Sequence, residues 1–145
     1  MIAATFCLTG AGGFFLVGLL SGVWKYAAVA TSADARAPVY VDVTHRAALM
    51  YAFACALLSE LSRRSAWSNA VNLAAAIVLV SFFALSIAGY VVHGLLRDTD
   101  NQLRRPNRVG RRVVPASAMV AFMVALSLSE IGGFVVLFWG FIAGR

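Results

Sequence analysis

Apolar residues along this chain fall into four long runs separated by short polar breaks. The runs cover about Ile2–Trp24, Val43–Leu61, Asn69–Leu96 and Pro115–Ala143. Each approaches or exceeds the roughly 20 residues needed to cross a hydrocarbon layer of about 30 Å. At these lengths only helices satisfy their own backbone in lipid. The pattern predicts an all-α, integral membrane four-helix bundle that uses residues 1–145 as a single transmembrane domain. The Ser62–Ser68 break is short, so the second and third helices should form an antiparallel hairpin. Pro115 suits a first helical turn. Small residues at 28–35 resemble a signal-cleavage site, but the first 24 residues carry no Lys or Arg. A basic leader region is therefore missing, and the first run is expected to remain a helix.

Charge sets the expected orientation. Lys25, Arg36 and Arg46 lie around the first break, and Arg97, Arg104, Arg105, Arg108, Arg111 and Arg112 lie in the third, 97–114. These nine cations share one side, against three (Arg63, Arg64, Arg145) on the other. The positive-inside rule then puts the first and third loops in the cytoplasm and both termini outside, as in a multi-pass protein of a bacterial inner membrane. Trp24, Trp67 and Trp139 fall at predicted helix ends, where interfacial anchors belong. Composition agrees: of 145 residues, 61% are hydrophobic and 12% charged, and mean hydropathy is +0.84. The net charge of +6 is confined to loops, which points to anionic lipid head groups and not to nucleic acid. Cys7 and Cys55 lie inside apolar runs without metal-binding spacing and read as small buried thiols. Gly18/Gly22 and Gly140/Gly144 are GxxxG pairs that permit close helix approach, within a bundle or an oligomer.

Two isolated histidines carry the candidate chemistry. His45 opens the second helix and His93 closes the third, so an antiparallel hairpin brings both to one edge of the bundle. Neutral imidazole ligates haem iron and other transition metals. Ala48, Leu49 and Ala52 share the His45 face and would form an apolar wall of little bulk. Phe82, Ser86, Gly89 and Tyr90 share the His93 face. Arg46 and Arg97 stand where haem propionates would need cations. Asp42, one turn before His45, could accept its second ring N–H and fix the tautomer. The plain alternative is that each histidine is a solvated interfacial side chain. Glu130 lies near the middle of the fourth helix, beside Ser127 and Ser129. A carboxyl at that depth is costly and must face the interior. It reads either as a proton relay or acid, or as an interhelical hydrogen bond to a Ser or Tyr. In the third loop, Asp98, Asp100 and Asn101 lack the full calcium-loop pattern and its closing Glu. That loop reads as a lid with its arginines on lipid phosphates.

From His45 through Tyr90 the chain resembles the styrene oxide isomerase family, small four-helix membrane proteins that form trimers and bind ferric haem b. The resemblance covers the central half of the chain and rests on spacing and topology. His45 stands at the start of helix two, like the family's axial histidine. Tyr90 falls at the spacing of its active-site tyrosine near the end of helix three. Asp100-Asn101-Gln102 loosely matches an Asn-Gln segment. What the resemblance implies is a homotrimeric isomerase acting on a small apolar aryl epoxide. Ferric iron on His45 would act as a Lewis acid, ring opening would give a benzylic cation, and a hydride shift would yield an aldehyde. Tyr90 would orient the oxygen. Tyr51 stands where the family has an asparagine and is a second active-site position. His93 has no counterpart there. If it were a second axial ligand, the protein would be a bis-histidine electron-transfer cytochrome b. A cofactor-free subunit of a membrane complex is the third reading.

Overall fold

The computed structural model describes residues 2–145. Four helices account for most of the chain: α1 (Ile2–Ala30), α2 (Val39–Arg63), α3 (Asn69–Leu96) and α4 (Ala116–Ala143). All four are long and apolar enough to cross a membrane. A two-residue-per-strand hairpin, β1 (Arg108–Val109) and β2 (Arg112–Val113), interrupts the long loop before α4. Gly110 turns it at φ +60°, a backbone state that favours glycine.

The predicted spans hold, with shifted ends. α1 continues six residues beyond Trp24, so Trp24 lies inside a helix and not at its end. The segment Tyr26–Ala30 keeps forming helix although Lys25 looked like its polar stop. α2 begins four residues before Val43, and Asp42 becomes a first-turn acid, where a helix favours negative charge. Pro115 is the N-cap of α4 and not its first helical residue. Ser68 caps α3 by accepting a hydrogen bond from the Val71 N–H.

Small residues set the packing. Ala4, Cys7, Ala11 and Gly18 of α1 bury against Ala48, Ala52 and Cys55 of α2. Both cysteines are free and fully buried there, as the sequence implied. Ser59 Oγ donates to the Ala4 carbonyl at 2.8 Å across this interface. Gly18 and Gly22 thus serve contact within the chain: a Cβ on Gly18 would come 2.5 Å from Leu49 Cδ2. In contrast, α4 is peripheral and buries only Leu137 and Gly140. Its C-terminal half is tied to the α2–α3 turn. The Ala66 N–H donates to the Gly140 carbonyl at 2.9 Å, and Trp67 Nε1 donates to the Val136 carbonyl at 3.0 Å. A Cβ on Gly140 would lie 2.3 Å from both Ser65 Oγ and Trp67 Cδ1. Gly140→Val is therefore expected to destabilise the fold by about 1–3 kcal/mol, the cost of overpacking. Thermal unfolding in detergent, with Gly132→Val as a control at an open position, checks this.

Candidate functional site

His45 turns toward α1. Its Nδ1 lies 2.8 Å from the Gly18 carbonyl oxygen. A carbonyl can only accept, so Nδ1 carries the proton, and in the neutral ring Nε2 keeps its lone pair. Gly22 makes room for the ring, because a Cβ there would sit 2.9 Å from His45 Cε1. The ring is half-buried. The wall expected to face a porphyrin is instead taken by the chain itself: Ala48 and Ala52 are buried, and Leu49 sits on Gly18.

Asp42 does not hold His45. Its carboxylate takes Lys25 Nζ at 2.5 Å and Arg46 at 2.7 Å. Two nearby cations outbid a neutral ring N–H, and the α1 backbone supplies that ring with its acceptor. Lys25 and Arg46 together put positive charge beside His45, and the Arg46 side chain is 66% exposed. Arg97 is elsewhere. It ends α3 in a left-handed conformation (φ 49°) and borders a surface cleft with Thr31, Ser32 and Arg36 of the first loop.

His93 has a different environment. Its Nδ1 donates to Asp98 Oδ1 at 2.8 Å, and the two side chains are only 5% and 7% exposed. One ring face lies against Tyr40, centroid to centroid 5.0 Å, and Tyr40 in turn stacks on Tyr90 at 5.9 Å. His93 is thus level with Tyr40, five residues or roughly 7 Å along α2 from His45. The two histidines share one end of the bundle but not one site: His45 packs on α1, His93 on Tyr40 and the third loop. Asp98 also accepts from the Gly110 N–H, so one carboxylate joins α3 to the β-hairpin. Tyr40 Oη accepts from the Gln102 N–H at 2.6 Å, and Asn107 Nδ2 donates to the Gln102 carbonyl. The third loop is a stitched cap and not a loose lid. Burial pushes the Asp98 carboxyl up, but the His93 and Gly110 hydrogen bonds outweigh it and hold it below the ordinary carboxylate range. Sequence reasoning read the loop as a lid but missed its anchor, the Asp98 carboxylate on His93 and Gly110. The available signal was one acid five residues after a helix-end histidine.

A second polar group lies deep in the bundle. Tyr51 Oη donates to Glu130 Oε1 at 3.2 Å, so of the two readings of Glu130 the structure shows the interhelical bond to a tyrosine. The Tyr51 ring stacks on Phe83 at 4.0 Å. Tyr90 is within electrostatic reach of both Tyr51 and Glu130, and its hydroxyl has no hydrogen-bond partner among the described residues. Ser86 Oγ is buried one turn before Tyr90, on the same side of α3 and near the Tyr51 hydroxyl. Tyr51 lies six residues beyond His45, about 240° around the helix, so the hydroxyl cluster and His45 occupy different faces of α2.

Among the described residues no group of three or more His, Cys, Asp and Glu could hold a metal ion by itself. A haem site needs less from the protein: one axial imidazole, with the porphyrin supplying the other iron ligands. Compared with models of protein families, with curated proteins and with solved structures, the chain matches none.

Proposed function

We propose that this membrane protein binds haem b through His45 and uses it to isomerise a small apolar epoxide to an aldehyde. The carrying observation is the Nδ1–H to Gly18 carbonyl bond, which fixes the tautomer that offers Nε2 to iron. Gly22 makes room for the ring, and Arg46, paired with Asp42 but mostly exposed, is the cation for a propionate. The bound group would supply Lewis acidity toward an epoxide oxygen.

The chain's own residues do the rest. Tyr51 already donates to Glu130, so its part is to hold that carboxyl, not the substrate. Tyr90 has the free hydroxyl and is the residue to hydrogen-bond a developing alkoxide. Because His45 and Tyr90 sit on different faces, one chain does not unite them. A homotrimer, as the family resemblance implies, would set the Tyr90 face of one copy against the His45 face of the next. The cation distribution orients the protein with its first and third loops in the cytoplasm of a bacterial inner membrane.

The burial of His93, 4% exposed and covered by Tyr40, argues for a single axial histidine and against the electron-carrier reading. The test is turnover of styrene oxide to phenylacetaldehyde by haem-loaded protein in nanodiscs. Tyr90→Phe should lower kcat about 100-fold with an unchanged Soret band, the size of effect expected for one oxyanion donor. His93→Ala should leave the iron's spin state as in the wild type. A change from low to high spin on His93→Ala would instead establish bis-histidine ligation and sink the isomerase reading.

A further inference from the structure

The gap between α2 and α4 holds a cavity of about 320 Å³ lined by Met50, Tyr51, Leu79, Phe83, Glu130 and Phe134, with Ala54 in its wall. Met50 is 71% exposed on the outer surface, so the cavity opens sideways toward the bilayer. Its volume suits a small ligand. Glu130 is the one acidic side chain in its wall. Tyr51 satisfies Oε1, while Oε2 has no partner among the described residues. No Lys or Arg lines the cavity. Hydrocarbon offers no water to occupy the remaining acceptor, so a guest that carries a donor gains a partner there. The other walls are aliphatic groups and the rings of Tyr51, Phe83 and Phe134, whose faces are electron-rich. A carboxyl, three rings and no cation together favour a positively charged guest, which would gain an ion pair in low dielectric and cation–π contact at once.

We infer that the Glu130 cavity is a binding site for a small lipophilic ammonium ion that enters from the membrane, with Glu130 as counter-ion. The site requires no haem and stands whether or not His45 binds iron.

The test is isothermal titration calorimetry of the full chain, without added haem, in phosphatidylcholine nanodiscs. The probes are 2-phenylethylammonium and its neutral analogue 2-phenylethanol. The expected result is saturable binding of one ammonium per chain, at least tenfold tighter than the alcohol. Glu130→Gln should weaken the ammonium at least tenfold. Ala54→Leu, which fills the cavity and keeps the charge, should do the same, so the inference stays testable if Glu130→Gln does not fold. Tyr51→Phe should retain binding, since it frees Oε1 for the guest. Equal affinity for the alcohol, non-saturable partition alone, or undiminished binding by folded Glu130→Gln or Ala54→Leu would overturn the inference.

Discussion

Replacing His45 by alanine is expected to lower haem affinity by more than about 100-fold, the upper end of what loss of an outer partner of a ligand costs by itself. The helix content should survive. The ring sits at the α1–α2 interface, but much of the buried contact between the two helices runs through Cys7, Ala11, Ala52 and Cys55, about two turns or more from it. Added imidazole should occupy the vacated space beside Gly22 and restore the Soret band. Haem titration of both proteins in nanodiscs, with circular dichroism as the fold control, reads all of this. Retained affinity in a folded His45→Ala protein would remove the histidine from the site.

Asp98→Ala should produce the largest loss of stability of any single loop substitution, about 2–4 kcal/mol. One carboxylate satisfies both the buried His93 ring and the Gly110 N–H, and its removal leaves two donors without a partner. Faster amide exchange at Gly110 and Gln102 would show that the cap has opened. The same contact predicts a pH dependence. The folded Asp98 carboxyl ionises at a lower pH than the unfolded one, whose ordinary value is about 3.9. Its stabilisation is therefore complete above that value and is lost as pH falls through the folded one. The stability gap between wild type and Asp98→Asn should narrow as pH falls below about 4. A gap that keeps widening below that value would contradict this.

The spans were legible in the sequence because lipid demands long unbroken apolar helices, and hydropathy records that demand directly. The existence of a partner for Glu130 was legible for the same reason: a mid-membrane carboxyl cannot stand alone. Its identity, Tyr51, was not, since the two are 79 residues apart and meet through tertiary packing. Placement of the histidines at one end of the bundle followed from the hairpin. Their neighbours did not. Periodicity says which residues share a face, not which helix covers it, so the Ala48–Ala52 wall read as open space for a porphyrin although α1 fills it. Asp42 was near enough in sequence to hold His45, but Lys25 and Arg46 compete for it more strongly. The ends of α1 and α2 were misjudged because charged residues at a membrane boundary mark the edge of the lipid, not the end of the helix.

The central claim is that His45 binds haem b as a single axial ligand. Its most direct measurement is an absorption titration of the purified wild-type protein in nanodiscs with ferric haem b. The account predicts a saturating Soret band at one haem per chain, with a high-spin ferric spectrum that retains an open coordination position. A spectrum indistinguishable from haem in empty nanodiscs would contradict it.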